Sequence, residues 1–250
     1  MPYIDLTGKE ISAVIKGELA VVMPIYNEEA NIRNVVSEWS TTLGSLGIVP
    51  CFVLIDDGSN DRTLATLLEM EKSMTGMIVI SKPNSGHGRS CRLGYSLSVA
   101  SEVSWVLQVD SDGQCDPEYF RDFWSQRGQS DCVFGIRTKR DDGWSRAWTS
   151  KICRWSSTLL CGVDLVDPNV PYRLLRREVL ARALTVIPAG FDIHNVAITF
   201  VLKSMGGLRW TYVPIRFKNR QGGSNSINFA NVAQLGFAML FDLIKLRKSL

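Results

Sequence analysis

Four short apolar runs constrain this chain more than any other feature, because each ends in a polar tip and precedes a segment of different period. The first, residues 19–23, leads into Pro24-Ile25-Tyr26-Asn27-Glu28. The second, 52–55, ends in Asp56-Asp57-Gly58-Ser59, and the third covers 77–80. The fourth, 105–109, ends in Asp110-Ser111-Asp112-Gly113-Gln114. Between the first two, Ile32, Val35, Val36, Trp39 and Leu43 recur at helical spacing across 28–46. Asn60-Asp61-Arg62-Thr63 opens a second helix with Leu64, Leu67, Leu68 and Met70 inward, and 86–100 is a glycine-broken loop running into a third. Asp116-Pro117-Glu118 starts a fourth, with proline near its first turn. Strand and helix alternating four times predict an α/β domain with a mostly parallel central sheet and helices on both faces. Ligands bind such sheets outside the carboxyl ends of the strands, so Tyr26, Asp57, Asp110 and Asp112 are expected near one another.

Asp110 and Asp112 are two carboxylates one residue apart at a strand end. That spacing turns two oxygen ligands toward one hard cation, Mg²⁺ or Mn²⁺, which shares its shell with substrate phosphates. In isolation an Asp-x-Asp after a strand is more often a turn or helix cap. The second acidic strand end favours the metal reading. Ser59 and Asp61 read as local capping residues, with Asp57 facing the ligand. His87 reads as a loop residue and His194 as a helix-surface residue.

The second half is less regular. A short strand covers 131–135, ending in Ile136-Arg137. Helices are expected over 144–161, 174–184 and 191–205, a strand over 210–217, and an amphipathic helix over 227–250. The organisation is thus a leader (1–18), a catalytic domain (19–226) and the terminal helix. The formal net charge of +3 gives no argument for a nucleic-acid partner. The six cysteines show no Cys-x-x-Cys pair and read as buried hydrophobes in a reducing compartment. No basic, then apolar, N-terminal signal is visible, and no stretch reaches the ~18 apolar residues of a membrane span. These features predict a cytoplasmic protein with peripheral membrane contact at most. Trp144, Trp148 and Trp155 among Arg and Lys suit either a core or a bilayer interface.

The runs from Val22 to Ile32, Asp56 to Thr63, Asn84 to Gly88 and Asp110 to Gln114 resemble, in order, the landmarks of family 2 glycosyltransferases with the GT-A fold. The runs from Val170 to Leu180 and from Val213 to Ser224 are similar to later landmarks of the dolichyl-phosphate mannosyltransferase-like branch, which glycosylates polyprenyl phosphates. The resemblance implies a nucleotide-diphospho-sugar donor, UDP- or GDP-linked, a divalent cation and inversion at the anomeric carbon. It implies that Pro24, Tyr26, Asn27 and Glu28 line the nucleotide pocket with Asp56, Asp57, Gly88 and Ser111, and that Asp57 accepts from the base. Asp110, Asp112 and Gln114 would hold metal and diphosphate. Arg137 and Arg220, with Ser224, would meet phosphate groups, so that Asp112, Arg137 and Arg220 form the catalytic set. Relatives often carry a Glu in the helix before Val213-Pro214. This chain has Asp192-Ile193-His194-Asn195 there, and Asp192 is off register as a base. The missing Glu favours a polyprenyl phosphate acceptor, whose oxygen is already ionised and needs no general base. A hydroxyl acceptor, or nucleotide-sugar binding without turnover, are the alternatives.

Overall fold

In the computed structural model, the described residues are 15–138, 158, 162, 165–188, 191, 194–218 and 244–247. The expected leader, the 144–161 helices and almost all of the 227–250 helix lie outside them. Seven strands form one sheet: β1 (Leu19–Ile25), β2 (Pro50–Asp56), β3 (Met77–Ser81), β4 (Trp105–Gln108), β5 (Cys132–Arg137), β6 (Arg173–Arg176) and β7 (Trp210–Ile215). Their order is β3-β2-β1-β4-β6-β5-β7. β3, β2, β1 and β4 run parallel, and β7 runs parallel to β5. β6 lies antiparallel between β4 and β5.

The helices are α1 (Ile32–Ser45), α2 (Thr63–Ser73), α3 (His87–Val99), α4 (Phe120–Ser125), α5 (Arg177–Val186) and α6 (His194–Met205). The period read in α1 is its buried face: Ile32, Val35, Val36, Trp39 and Leu43 are all inside. A 3₁₀ turn, Pro117–Tyr119, precedes α4, and Asp116 caps it by accepting from the Glu118 amide at 3.0 Å. All seven side chains of β1 are buried, as expected of a central parallel strand covered on both faces.

One expected element is corrected. Residues 174–184 are not one helix: the chain is a strand to Arg176 and helical from Arg177. Leu174 and Leu175 are both fully buried, on opposite faces of β6, so the strand lacks the alternation that marks a half-exposed one. Arg173, the first residue of the strand, is also fully buried. Its guanidinium donates to the carbonyls of Val170 (2.6 Å), Pro168 (2.6 Å) and Asn195 (2.7 Å).

The topology places the site. From β1 the chain steps outward to β2 and β3, then returns to lay β4 on the other side of β1. The strand order therefore reverses between β1 and β4, and a crevice opens there. Pairing of β1 with β4 covers only Leu19–Val22 against Trp105–Gln108, while β1 pairs with β2 as far as Ile25 and Asp56. Pro24 lies beyond the β4 ladder, where its missing N–H costs no strand bond. α3 packs onto β1 at Gly94, where a Cβ would stand 2.4 Å from Val22 Cγ1. This close approach carries the N-terminus of α3 to the edge of the crevice.

Candidate active site

The tip of β1 is knitted to the turn after β2. Asn27, with φ of 54°, donates its amide to Ser59 Oγ at 3.0 Å and accepts from the Asn60 amide at 2.8 Å. The Glu28 amide donates to Thr63 Oγ1 at 2.8 Å. Tyr26 is 43% exposed, unusual for a large aromatic at a strand end, and its ring is open to a ligand. Pro24 and Glu28 are buried behind it.

The paired acids after β2 differ. Asp56 is fully buried: it accepts from Ser81 Oγ at 2.8 Å and from the Ser59 amide at 3.3 Å, tying β2 to β3 and to its own turn. Asp57 is also buried, at 4% exposed, but holds the glycine loop. It accepts from the amides of Ser85 (2.8 Å) and Gly86 (2.9 Å) and pairs with Lys82 Nζ. Gly58 makes the approach possible: with φ of 70°, a Cβ there would stand 2.7 Å from the Asn84 amide nitrogen.

The loop then delivers His87, which is the first residue of α3 and not a loop residue. Its Nε2 lies 3.0 Å from Asp110 Oδ1, and Cys91 Sγ lies 3.8 Å from its Nδ1. The Cys91 sulfur and then the Asp110 carboxylate raise the His87 pKa well above the ordinary histidine value. Gly88 is buried in the same first turn. Lys82, Asp57, the 85–86 amides, His87 and Asp110 therefore form one continuous chain of contacts from β3 to β4. Lys82 went unnoticed in the sequence, although the β2–β3 alternation would put the residue after β3 level with Asp57.

At the β4 tip, Asp110 also accepts from Gln108 Nε2 at 3.0 Å. Asp112 Oδ1 accepts from the Gln114 amide at 3.1 Å, closing a turn around Gly113 with φ of 75°. Ser111 is buried in that turn. Gln114 bonds Lys218 twice: it receives the Lys218 amide at 3.2 Å and gives its side-chain amide to the Lys218 carbonyl at 3.3 Å. Its Oε1 is then the one atom of that side chain able to ligate a cation. Among the described residues no three His, Cys, Asp or Glu side chains gather into a closed metal site. Two strand-end carboxylates and an amide oxygen are hard donors, and a set this small suits a cation that shares its shell with phosphate oxygens.

Arg137, at the end of β5, is turned toward Asp167. Its Nε donates at 2.8 Å and its amide at 3.2 Å, and a second guanidinium nitrogen pairs with Oδ1. Arg220 and Ser224 lie outside the described residues, as does Asp192. The chain reaches them from Lys218, which the bonds to Gln114 hold beside the acidic tip. His194 is not on a helix surface: it is 1% exposed, in the first turn of α6.

Among solved structures, the chain is similar to glucosyl-3-phosphoglycerate synthase from Mycobacterium tuberculosis, crystallised in complex with Mn²⁺ and UDP-glucose. The TM-score is 0.64 and the identity 18%, over 96% of this chain and 82% of that one. Mannosyl-3-phosphoglycerate synthase from Rubrobacter xylanophilus matches with TM-score 0.61 and 12% identity, over 92% and 73% of the two chains. These likenesses show the GT-A fold. The dolichyl-phosphate branch is not the one these neighbours point to. The model for glycosyl transferase family 2 matches residues 20–184, which span β1 to α5 and take in every acidic strand tip described above. The chain therefore belongs to glycosyl transferase family 2.

Proposed function

We propose that this glycosyltransferase moves a hexosyl group, with inversion, from a nucleotide-diphospho-sugar to an acceptor that carries a phosphate, using Mg²⁺ or Mn²⁺. The carrying observation is the pair Asp110 and Asp112 at the crevice where strand order reverses, tied through His87 to the glycine loop. The leaving nucleoside diphosphate gains charge in the transition state, and a bound cation would supply Lewis-acid stabilisation of it, held by Asp110, Asp112 and Gln114. The chain's own residues do the rest. Tyr26 offers a face to the base, and Asp57 accepts from it while keeping the 85–86 amides in position. Arg137 reaches phosphate by exchanging one anionic partner, Asp167, for another. Arg220 and Ser224 act from the segment after Lys218. Arg suits this task because its planar fork binds phosphate oxygens in pairs.

Two acceptors fit. A polyprenyl phosphate is favoured by the segments at Val170 and Val213 and by the absence of Glu from α6. On this reading the enzyme is cytoplasmic and attaches peripherally to a membrane through residues 144–154 and 229–250. No helix among the described residues is long and apolar enough to cross a bilayer. A soluble phosphorylated acid is favoured by the similar structures, which are named glucosyl- and mannosyl-3-phosphoglycerate synthases, the former in complex with phosphoglyceric acid. One incubation separates the two. The protein with Mn²⁺ or Mg²⁺, a panel of UDP- and GDP-sugars, and either short polyprenyl phosphates or phosphoglyceric acid should release nucleoside diphosphate and form one glycoside. Release with neither acceptor present, or none with either, refutes the phosphate-bearing acceptor.

A further inference from the structure

Gln108 is a polar break in an apolar strand. It is fully buried at the end of β4, after Trp105, Val106 and Leu107. A buried amide is costly unless both of its ends find partners, so those partners show what it does. Residues two apart on an extended chain share a face, and Gln108 Nε2 accordingly donates to Asp110 Oδ1 at 3.0 Å. At its other end, the Tyr95 hydroxyl donates to Gln108 Oε1 at 3.4 Å. A carboxylate only accepts, which turns the NH₂ end toward Asp110 and leaves the carbonyl end for Tyr95.

One helix supplies both ends of this arrangement. His87, Cys91 and Tyr95 follow at four-residue spacing and form one stripe of α3. His87 reaches Asp110 Oδ1 directly, at 3.0 Å, and Tyr95, two turns further on, reaches it through Gln108. Tyr95 is itself fixed in place: it is fully buried and packs against His194 with ring centroids 5.5 Å apart. Burial pushes its phenol well above the ordinary tyrosine pKa, so it stays an O–H donor. Asp110 Oδ1 thus meets two partners. Oδ2 meets none among the described residues, and the Asp110 side chain is 27% exposed. One oxygen is held by the protein and the other is left open.

We propose that Gln108 is a positioning residue for the cation site: seated by Tyr95, it holds Asp110 Oδ1 and so leaves Oδ2 as the oxygen that ligates. The inference rests on the proposed function, since it requires that Asp110 bind a cation. Groups behind a metal ligand fix its orientation, and their loss weakens metal binding by about 10–100-fold. A side chain that only filled the core would be replaceable by an apolar one of similar size.

Mn²⁺ titration into the protein with saturating UDP or, separately, GDP tests this, with free Mn²⁺ read by electron paramagnetic resonance. Wild type, Gln108→Met, Tyr95→Phe and the double variant are compared, and their melting temperatures are measured without metal. Gln108→Met fills the same space without the donor and is expected to bind Mn²⁺ on the order of tenfold more weakly. Tyr95→Phe should weaken it in the same direction by less. The double variant should lose no more than Gln108→Met alone, because Tyr95 acts only through Gln108. It also leaves no buried hydroxyl unpaired, which keeps the test decisive should Gln108→Met fail to fold. A packing role would shift the metal-free melting temperature and leave the Mn²⁺ affinity of the folded protein alone. Mn²⁺ affinity equal to wild type in Gln108→Met or the double variant overturns the positioning role and leaves the proposed function standing. Losses that add in the double variant overturn the link through Tyr95. Wild type that takes up no Mn²⁺ with either nucleotide overturns the proposed function and this inference with it.

Discussion

Asp57 Oδ2 accepts a hydrogen bond from the Gly86 amide at 2.9 Å, so the acidic tip of β2 and the start of α3 behave as one piece. Asp57→Ala leaves the Ser85 and Gly86 amides and the Lys82 ammonium without their carboxylate. Each lost bond to a buried group costs about 1–3 kcal/mol. We expect nucleoside-diphosphate affinity to fall at least tenfold, with faster amide exchange across 82–90. Calorimetry giving wild-type affinity would remove Asp57 from the binding edge.

Gly94 sets how closely α3 approaches the sheet. A methyl group there meets Val22 Cγ1 at 2.4 Å, and a β-branched side chain on a central strand has little freedom to yield. Gly94→Ala is expected to cost about 1–3 kcal/mol and to lower the melting temperature by several degrees. An unchanged melting temperature would show that α3 slides without cost.

Acid should destabilise the fold through His194. Its folded pKa of about 3 lies below the ordinary histidine value of 6.5, so the unfolded chain binds a proton that the folded one refuses. The resulting stability is complete above pH 6.5 and is lost as pH falls from there toward 3, at roughly 1.4 kcal/mol per pH unit. His194→Phe should flatten the denaturation midpoint over that window. Asp131 acts lower: bonded by Arg209 and flanked by Arg176, it is held down to about 2, and its contribution fades only as pH drops below about 3.8. Equal pH profiles for wild type and His194→Phe would contradict the assignment.

The membrane reading has its own test. The stretch 144–154 mixes Trp with Arg and Lys, and residues 229–248 are apolar with a basic end. Basic residues near an anionic surface contribute ~1 kcal/mol each. The protein should co-sediment with phosphatidylserine vesicles at low salt, be released at high salt, and bind less after deletion of 229–250. No sedimentation, together with transfer to phosphoglyceric acid, would replace the lipid acceptor by the soluble one.

The parallel half of the fold was legible because each of its strands is a mainly apolar run with a polar tip, broken only by Gln108 in β4, and α1 repeats its apolar residues at helical spacing. Those tips put Tyr26, Asp57 and Asp110 at the carboxyl ends of three neighbouring strands without any knowledge of packing. The antiparallel β6 was not legible: a four-residue strand buried on both faces and flanked by arginines has the composition of a basic helix. Arg173 and His194 hid for a related reason. Both are polar side chains taken into the interior by long-range packing, Arg173 by three carbonyls and His194 beside Tyr95, and neither event leaves a local pattern. The partner of Arg137 was equally invisible, since Asp167 lies thirty residues away in sequence and meets it only when β5 and the turn before β6 are in place.

Asp110 and Asp112 are proposed to bind a nucleoside diphosphate through a divalent cation. Calorimetric titration of UDP and GDP into wild type and Asp112→Asn, each with Mn²⁺ and with EDTA, tests it most directly. Wild type is expected to bind only when Mn²⁺ is present, and Asp112→Asn to lose nearly all of that binding with its melting temperature unchanged. Affinity that is the same with and without the cation, or that survives intact in Asp112→Asn, would contradict it.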